Sequence, residues 1–316
     1  MSSLLPPVIC LMGPTAAGKT PLAVELVQRF PCEIVSVDSA MVYREMNIGT
    51  AKPDAQLLKI APHRLIDICD PREAYSAGQF RQDALREIAD IVAHKKIPLL
   101  VGGAMLYFRV LQQGLAALPT ANETIRAALQ TRADKEGWDA LHAELMRVDP
   151  DAANRIHPRD TQRIQRALEV YQLTGKTITA WQADDTNPLA DYRVYNLAIA
   201  PSDRAWLHER IALRFQQMLD LGFVEEVEHL YARGDLTADL PSMRSVGYRQ
   251  MWDYFAGAST YDEMRDKAIA ATRQLAKRQL TWLRSWDEMK WFDAQTSHCV
   301  DVVSEYMNEI VKNVIK

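Results

Sequence analysis

A phosphate-binding loop is predicted near the start of the chain. The segment Gly13-Pro14-Thr15-Ala16-Ala17-Gly18-Lys19-Thr20 has the spacing G-x-x-x-x-G-K-[ST], with an apolar run before it and a helical pattern after it. The glycines let the backbone wrap an anion, and the N–H groups of the following helix N-terminus point at it. Lys19 adds a positive charge, and the Thr20 hydroxyl can hold Mg²⁺. The motif therefore predicts a phosphate or diphosphate site, without identifying ATP as the ligand.

Two further apolar runs end in residues that could act on a ligand in this loop. Asp38 follows the run 34–37, where its carboxylate could accept a proton, help to hold Mg²⁺, or serve only as a turn or N-cap residue. Gly102 and Gly103 follow the run 97–101, where a phosphate-loop NTPase usually carries a metal-organising aspartate. The missing acid weakens the case for ATP hydrolysis. The glycine pair predicts a close approach of a ligand or of backbone, or is a plain loop.

Basic residues occupy one face of each of two predicted helices. They are Arg159, Arg163 and Arg166 on the first, and Arg273, Lys277 and Arg284 on the second. Such spacings place side chains on one helix face. Residues 264–290 include seven basic and three acidic side chains, a net charge of +4 in a chain whose net charge is −4. These faces fit contacts with an RNA backbone, and solvated helix faces remain the alternative.

Aromatic residues near the second helix complete this interpretation. Tyr248 and Arg249 follow a flexible Val-Gly pair and offer a ring and a cation to an unstacked base. The tryptophans at helical spacing are predicted to belong to the core instead, and they are Trp282, Trp286 and Trp291.

The composition is that of an ordinary globular protein of 316 residues. Its four cysteines are scattered and form no C-x-x-C or His/Cys cluster, so they predict neither zinc nor disulfides and favour a cytoplasmic protein. The N-terminal apolar run is short and is broken by Pro6 and Pro7, which indicates a first strand rather than a signal peptide. No segment has the length of a membrane span.

Short apolar runs alternate with helical patterns, which predicts an α/β fold with a P-loop-type parallel sheet flanked by helices. The predicted strands are Val8–Leu11, Glu33–Val37, Arg64–Ile68, Ile97–Val101 and Val194–Ile199, and helices are predicted over Leu22–Phe30 and Phe80–His94. Ligands of such a sheet bind at the carboxyl ends of the strands. The phosphate loop, Asp38 and the glycine pair should therefore converge there.

The pattern is purely helical from Glu123 to Leu173, with turns at 137–138, 149–150 and 157–158. Gly175 is predicted to end the last of these helices, and Ser202 to cap the first helix after the strand that follows. We therefore predict a catalytic core of residues 1–119 and 191–316, with a helical C-terminal part. An all-helical subdomain over 120–190 interrupts this core.

Several segments together resemble the bacterial tRNA dimethylallyltransferase (tRNA isopentenyltransferase) family, in order over roughly residues 8–293. The segments besides the phosphate loop are Asp38–Tyr43, Gly49–Pro53, His63–Asp67, Gly102–Tyr107, Gln162–Val170, Ser245–Met251 and Thr272–Gln279. Only the phosphate loop is specific on its own, whereas the combined set is highly specific.

The resemblance implies transfer of the dimethylallyl group from dimethylallyl diphosphate to N6 of the adenosine 3′ to the anticodon, position 37. The substrates would be tRNAs that read codons beginning with U, with diphosphate released and Mg²⁺ required. The phosphate loop, residues 13–20, would hold the leaving diphosphate. Lys19, Thr20 with Mg²⁺, and Arg214 would stabilise its charge. Asp38 matches the family's general base, which takes up a proton as N6 attacks.

The resemblance also implies a tRNA surface, on which the helical insertion clasps the anticodon stem-loop of a monomeric enzyme that needs no membrane. The matching residues are Asp38, Ser39, Ala40, Met41, Ala104, Gln162, Arg163, Ile164, Gln165, Arg166, Arg244, Ser245, Val246, Gly247, Tyr248, Arg249, Lys277, Arg278 and Arg284. The chain departs from the family at Ala17 and Ala104, where a hydroxyl residue is frequent. It also departs at Pro21, where a small residue is common and where a backbone N–H is missing.

Three other functions fit parts of the sequence. A phosphate-loop kinase would need arginines in a lid over ATP, whereas the basic residues here lie on long helices. An enzyme that prenylates free AMP or ADP would need neither the insertion nor the basic C-terminal helix. A tRNA-binding protein without activity would have no use for Lys19 and Asp38.

Overall fold

A six-stranded, all-parallel sheet forms the centre of the computed structural model, which describes residues 5–114, 118–183 and 187–314. The strands run in the order β3-β2-β4-β1-β5-β6. They are β1 (Pro7–Met12), β2 (Cys32–Val37), β3 (His63–Arg64), β4 (Ile97–Gly102), β5 (Arg193–Ala200) and β6 (Met289–Asp293). All residues of β1 and β4 are buried, as expected for central strands covered by helices on both faces. The predicted α/β fold is confirmed.

The two edge strands differ from the sequence prediction. β3 pairs with β2 through two residues only, and the rest of the predicted strand, 65–68, includes Leu65 and Asp67 at positive φ, which ends an extended strand. β6 was not predicted, because its sequence Met-Lys-Trp-Phe-Asp has one buried residue, Phe292, and exposes Lys290 and Trp291. Edge strands lack the continuous apolar run that identifies the central ones.

Helices connect and cover the strands. Those of the α/β part are α1 (Lys19–Arg29), α2 (Ala55–Ile60), α3 (Ala77–Ala93), α4 (Met105–Gln113), α10 (Arg204–Asp220), α11 (Phe223–Ala232), α12 (Tyr248–Phe255), α13 (Tyr261–Arg284) and α14 (Cys299–Val314). Those between α4 and β5 are α5 (Glu123–Glu136), α6 (Trp138–Val148), α7 (Pro150–Arg155), α8 (Thr161–Thr174) and α9 (Ile178–Ala183). Asp203, rather than the predicted Ser202, caps α10, because its carboxylate accepts the amides of Ala205 and Trp206.

The chain divides into two compact units. The first comprises Met1–Gln112 and Pro188–Lys316, and the second comprises Gln113–Asn187. In the first unit, one apolar cluster lies between the sheet, α1 and α14. A second cluster joins α10, α11, α12 and α13 to the loop after β2, and it includes Tyr43, Phe223 and Tyr248.

The second unit is helical and has its own apolar core. Its helices change at the predicted turns, and Gly175 ends α8 in the left-handed conformation, as predicted. Glu169 is one of its buried charged residues, and Arg126 and Arg166 both pair with the fully buried carboxylate. Burial would raise the pKa of Glu169, but bonds from Arg166, the Asn122 amide and Arg126 outweigh it and keep the pKa below its ordinary value. Two arginines therefore compensate this buried charge.

Within the described ranges, no helix has both the length and the apolar character needed to cross a bilayer.

Candidate active site

The phosphate loop leaves β1 and enters α1 in the geometry that its motif predicts. Gly13 lies so close to the Ile199 carbonyl of β5 that a Cβ would collide with it, and Gly18 has φ +88° at the start of α1. Lys19 Nζ donates to the Pro14 carbonyl at 2.8 Å, which curls the side chain back over the loop. Pro21 is exposed in the first turn of α1, where a proline is tolerated because an N–H there has no helical partner.

Two side chains from distant helices hold the loop. The Thr15 amide donates to Oε1 of Gln279 at 2.8 Å, and Nε2 of Gln279 donates to the Gly103 carbonyl at 2.9 Å. Arg210 Nε donates to the Ala16 carbonyl at 3.1 Å. Ala16 has φ +64°, a conformation that costs a non-glycine residue energy and needs such support.

The glycine pair after β4 fits two different neighbours. A Cβ on Gly102 would collide with the Val37 carbonyl of β2, so the predicted close approach of backbone is confirmed there. A Cβ on Gly103 would instead collide with the amide of Gln279, a contact that the sequence did not predict. Gly102 therefore allows β4 to lie close to the end of β2, and Gly103 leaves room for the side chain of α13 that contacts the phosphate loop.

A cavity of about 630 Å³ opens beside the loop at the carboxyl ends of the strands. Its walls include Thr15, Lys19 and Thr20 of the loop, Asp38 after β2, and Arg214 of α10. Apolar side chains such as Met105, Phe215, Met218 and Leu275 line it too, with Arg244, Arg278 and Trp282. This volume falls within the range of about 300–1,000 Å³ that is usual for ligand sites. The predicted convergence of the strand ends is confirmed.

Asp38 has the predicted turn role and also lies at the cavity. Its Oδ1 accepts the amides of Ala40 at 2.8 Å and Met41 at 3.2 Å, which is the turn role. The same carboxylate lines the cavity together with Lys19 and Thr20, and its charge acts on Lys19 and Arg214. The turn fixes one oxygen and so orients the carboxylate toward the cavity.

Positive charge gathers around the loop. Burial, and then repulsion from Arg214, lowers the pKa of Lys19 to about 7, against an opposing effect of Asp38. Burial and the neighbouring Arg210 also lower the pKa of Arg214, again opposed by Asp38. A dianionic or trianionic ligand would relieve this repulsion.

Glu226 of α11 organises the loop that faces Arg214, although no sequence motif indicated this residue. Its carboxylate accepts the backbone amides of residues 47–49 at 2.7–3.1 Å and the hydroxyl of Tyr248 at 2.5 Å. The next carbonyl, that of Thr50, accepts Nη2 of Arg214 at 3.4 Å. Glu226 therefore fixes the backbone beside a predicted diphosphate ligand.

Most predicted tRNA residues of the first unit lie at the cavity or on an exposed surface. The cavity is lined by Asp38, Ser39, Ala40, Met41, Ala104, Arg244, Ser245, Val246, Gly247 and Arg278. Arg249, Lys277 and Arg284 are exposed. Tyr248 also borders the cavity, but its side chain is fully buried and its ring packs edge-on against Phe223, so it is not available to stack on an unstacked base.

The predicted tRNA residues of the second unit divide into surface and core. Gln162 and Arg163 are exposed, and the Arg163 side chain retains 68% of its exposure. Ile164 is fully buried in the core of this unit. Gln165 donates to the Arg126 carbonyl, and Arg166 donates to Glu169 and to the Pro119 carbonyl. Arg166 therefore stabilises the unit itself, unlike Arg163.

The prediction that the three tryptophans are core is wrong. Trp282 is only partly buried and lines the cavity, where Arg109 lies 5.5 Å from its ring centre. Trp286 is also partly buried and donates to Gln112, whereas Trp291 on the edge strand is 44% exposed. Helical spacing alone did not separate cavity-lining rings from core rings.

The sheet, the loop and the cavity define a class of protein: an α/β phosphate-loop protein whose anion site and aspartate open into one cavity with basic residues. A family model described as IPP transferase matches residues 41–286. A tRNA dimethylallyltransferase of Coxiella burnetii (strain Dugway 5J108-111) is 54% identical over 305 residues, or 96% of this chain and 98% of that protein. The chain belongs to the IPP transferase family, a family of enzymes, and the resemblance predicted from sequence is confirmed.

Comparison with solved structures also finds tRNA isopentenylpyrophosphate transferases. The full-length tRNA isopentenylpyrophosphate transferase of Bacillus halodurans is 34% identical with a TM-score of 0.71, and 97% of each chain is covered. A eukaryotic dimethylallyltransferase, crystallised while acting on tRNA, has a TM-score of 0.84 over 98% of this chain and 80% of that chain. Its identity of 24% makes it a likeness of fold alone.

Proposed function

We propose that the protein transfers the dimethylallyl group of dimethylallyl diphosphate to N6 of adenosine 37, 3′ to the anticodon, in tRNAs that read codons beginning with U. The observation that carries this proposal is the single cavity in which the phosphate loop, Asp38 and exposed arginines meet. With a phosphate loop at one wall and basic residues at another, a diphosphate ester and an RNA base could bind next to each other in this cavity. Family membership supports RNA as the acceptor over ATP-dependent phosphorylation.

The diphosphate would lie on the loop, where the amides at the start of α1 point outward without helical partners. Lys19 and Arg214 would neutralise the charge that develops as the bond from C1 of the donor to oxygen breaks. The electron pair of that bond leaves with diphosphate. The apolar side chains of the cavity would surround the five-carbon group and exclude water from it.

Asp38 would act as the general base. The N6 amino group of adenine is a poor nucleophile, because its lone pair is delocalised into the ring. As the N6–C1 bond forms, one N6 proton moves to the carboxylate of Asp38. The two amides that hold Oδ1 fix its orientation before the substrates arrive. The base must leave the anticodon-loop stack to reach this point.

The residues present fit Mg²⁺ as a cofactor that arrives with the diphosphate. No cluster of three or more His, Cys, Asp or Glu side chains lies ready for a metal within the described residues. Thr20 and Asp38 offer a hydroxyl and a carboxylate in the same cavity. Mg²⁺ typically takes few protein oxygens together with substrate phosphates. Bound there, it would supply charge neutralisation to the leaving diphosphate.

The tRNA anticodon stem-loop would contact the exposed basic residues of both units, including Arg163, Arg249 and Lys277. The insertion, 113–187, would clasp this stem-loop. We further propose a cytoplasmic enzyme that acts as a monomer.

Mass spectrometry tests the reaction. The protein is incubated with Mg²⁺, dimethylallyl diphosphate and an anticodon stem-loop that carries the adenosine, in parallel with samples that hold ATP as the donor or AMP as the acceptor. A gain of one C5H8 unit on the RNA alone is expected. Prenylated AMP, or ATP turnover without RNA prenylation, would contradict the proposal.

A further inference from the structure

We propose that Gln279 is a positioning residue for the diphosphate donor, which it affects through the phosphate loop; this inference rests on the proposed function. Gln279 lies on α13 and is 8% exposed. It bonds to two segments that are far away in sequence, the phosphate loop and the end of β4. It lies on the same buried stripe of α13 as Ala276, Leu280 and Leu283, where a polar residue needs hydrogen-bond partners.

The chemistry of its two partners requires an amide at this position. The Thr15 N–H can only donate and the Gly103 carbonyl can only accept, so the bridging side chain must offer an acceptor and a donor. A glutamate carboxylate lacks the donor, and leucine lacks both groups. Gly103 leaves the space that the amide fills, since a Cβ there would collide with Nε2 of Gln279.

The bond to Thr15 matters because the next residue is strained. Ala16 has φ +64°, and its carbonyl accepts a hydrogen bond from Arg210 of α10. A strained backbone persists only where its surroundings fix it. Without Gln279, the loop would lose one of these two anchors and relax toward an ordinary conformation. The donors at the start of α1 would then no longer be pre-arranged for diphosphate.

Because Gln279 acts through the phosphate loop, its loss should affect binding of the diphosphate donor and not binding of RNA. The two side-chain hydrogen bonds of Gln279 go to the phosphate loop and to the end of β4, whereas Lys277 and Arg284 of the same helix are exposed. Loss of its bridge should weaken diphosphate binding and raise KM for the donor, and leave RNA affinity unchanged. A residue that only stabilised the fold would lower the melting temperature and affect both substrates alike.

The test compares Gln279→Leu and Gln279→Glu with Gln274→Leu, the same change at an exposed glutamine of the same helix. Inorganic diphosphate with Mg²⁺ is titrated by calorimetry, and an anticodon stem-loop by fluorescence anisotropy, with the thermal melt of each variant. We expect Kd for diphosphate to rise about tenfold or more in both Gln279 variants. RNA affinity should stay at the wild-type value, and Gln274→Leu should change neither constant.

The glutamate variant adds a second readout and replaces the leucine variant if that one fails to fold. A protonated carboxyl group restores the missing donor, so the donor KM of Gln279→Glu relative to wild type should fall as pH is lowered. Equal diphosphate affinity in wild type and a folded Gln279 variant would overturn the inference alone. Wild-type protein that neither binds diphosphate nor prenylates RNA would overturn the proposed function with it.

Discussion

At the scale of single residues, substitution can separate the turn hydrogen bonds of Asp38 from its proposed role as general base. Asparagine keeps an oxygen for the amides of Ala40 and Met41 but cannot take up a proton at neutral pH. Asp38→Asn should therefore retain the turn and lower turnover by about 10²–10⁴-fold, with a much smaller loss of tRNA affinity. Single-turnover prenylation of a stem-loop, with RNA binding measured separately, tests this expectation.

Asp38→Ala is the companion variant, since it removes the turn bond as well. If Asp38→Asn kept wild-type turnover while Asp38→Ala lost it, the carboxylate would be a turn residue and not a base. Equal losses in both variants, with the protein folded, support the general base.

Lys19 gives the site a dependence on pH. Burial and Arg214 lower its pKa to about 7, so much of the amine is neutral above pH 7 in the free enzyme. Bound diphosphate favours the charged amine, so its binding above pH 7 takes up a proton. The affinity for diphosphate should then fall as pH rises above about 7, by up to about tenfold per pH unit. At lower pH this affinity should no longer depend on the charge of Lys19.

Calorimetry at pH 8 in two buffers of different ionisation enthalpy measures that proton uptake. Lys19→Met is the control. It lacks the titrating amine, so any proton uptake that it still shows belongs to diphosphate itself. Identical proton uptake in wild type and Lys19→Met would show that the lysine is already charged in the free enzyme.

At the scale of elements, two arginines of α8 should behave differently despite their shared helix face. Arg163 is exposed, whereas Arg166 pairs with the buried carboxylate of Glu169. Arg163→Ala should weaken tRNA binding and reduce the slope of log K against log salt by about 1. Arg166→Ala should instead destabilise the insertion by about 1–3 kcal/mol, because it leaves Glu169 with Arg126 as its side-chain partner.

Salt titrations of stem-loop binding, and thermal melts, separate these two outcomes. Lys277→Ala on α13 is expected to behave like Arg163→Ala. An unchanged salt slope in both exposed variants would mean that these faces are only solvated.

Some parts of the candidate site were predictable from sequence, and the elements that carry each part explain why. The phosphate loop is contiguous, and its glycines, Lys19 and Thr20 follow from local backbone requirements. Asp38 was predictable because the ends of parallel strands meet at one edge. Gln279, Arg210 and Glu226 were missed as site residues, since each acts on backbone far away in sequence. A glutamine on the apolar stripe of α13 was the one available signal. The burial of Tyr248 was hidden because helix packing, rather than residue type, decides which ring faces a core.

At the scale of the whole molecule, the proposed diphosphate site belongs to one unit. Every residue that lines the cavity lies within 1–112 or 188–316. Replacing residues 118–183 by a flexible glycine-serine linker should therefore leave diphosphate affinity unchanged. Affinity for the stem-loop should fall on the order of tenfold or more, since the basic residues of the insertion are lost.

Calorimetry with inorganic diphosphate and anisotropy with the stem-loop measure the two affinities on the same protein. Unchanged RNA affinity would contradict the clasping role of the insertion. The fold class was predictable at this scale from the alternation of strands and helices. The edge strand β6 was not, because pairing with β5 alone requires little apolar sequence.

The bridge from Thr15 to Gln279 spans 264 positions along the chain. A ribosome that has reached Thr15 must therefore add 264 further residues before the phosphate loop can receive this anchor. Contacts of such long range form late, after the local helices. Until α13 is made, the emerging polypeptide would carry the motif without this bond. A product of premature termination before α13 would possess the motif but lack this anchor.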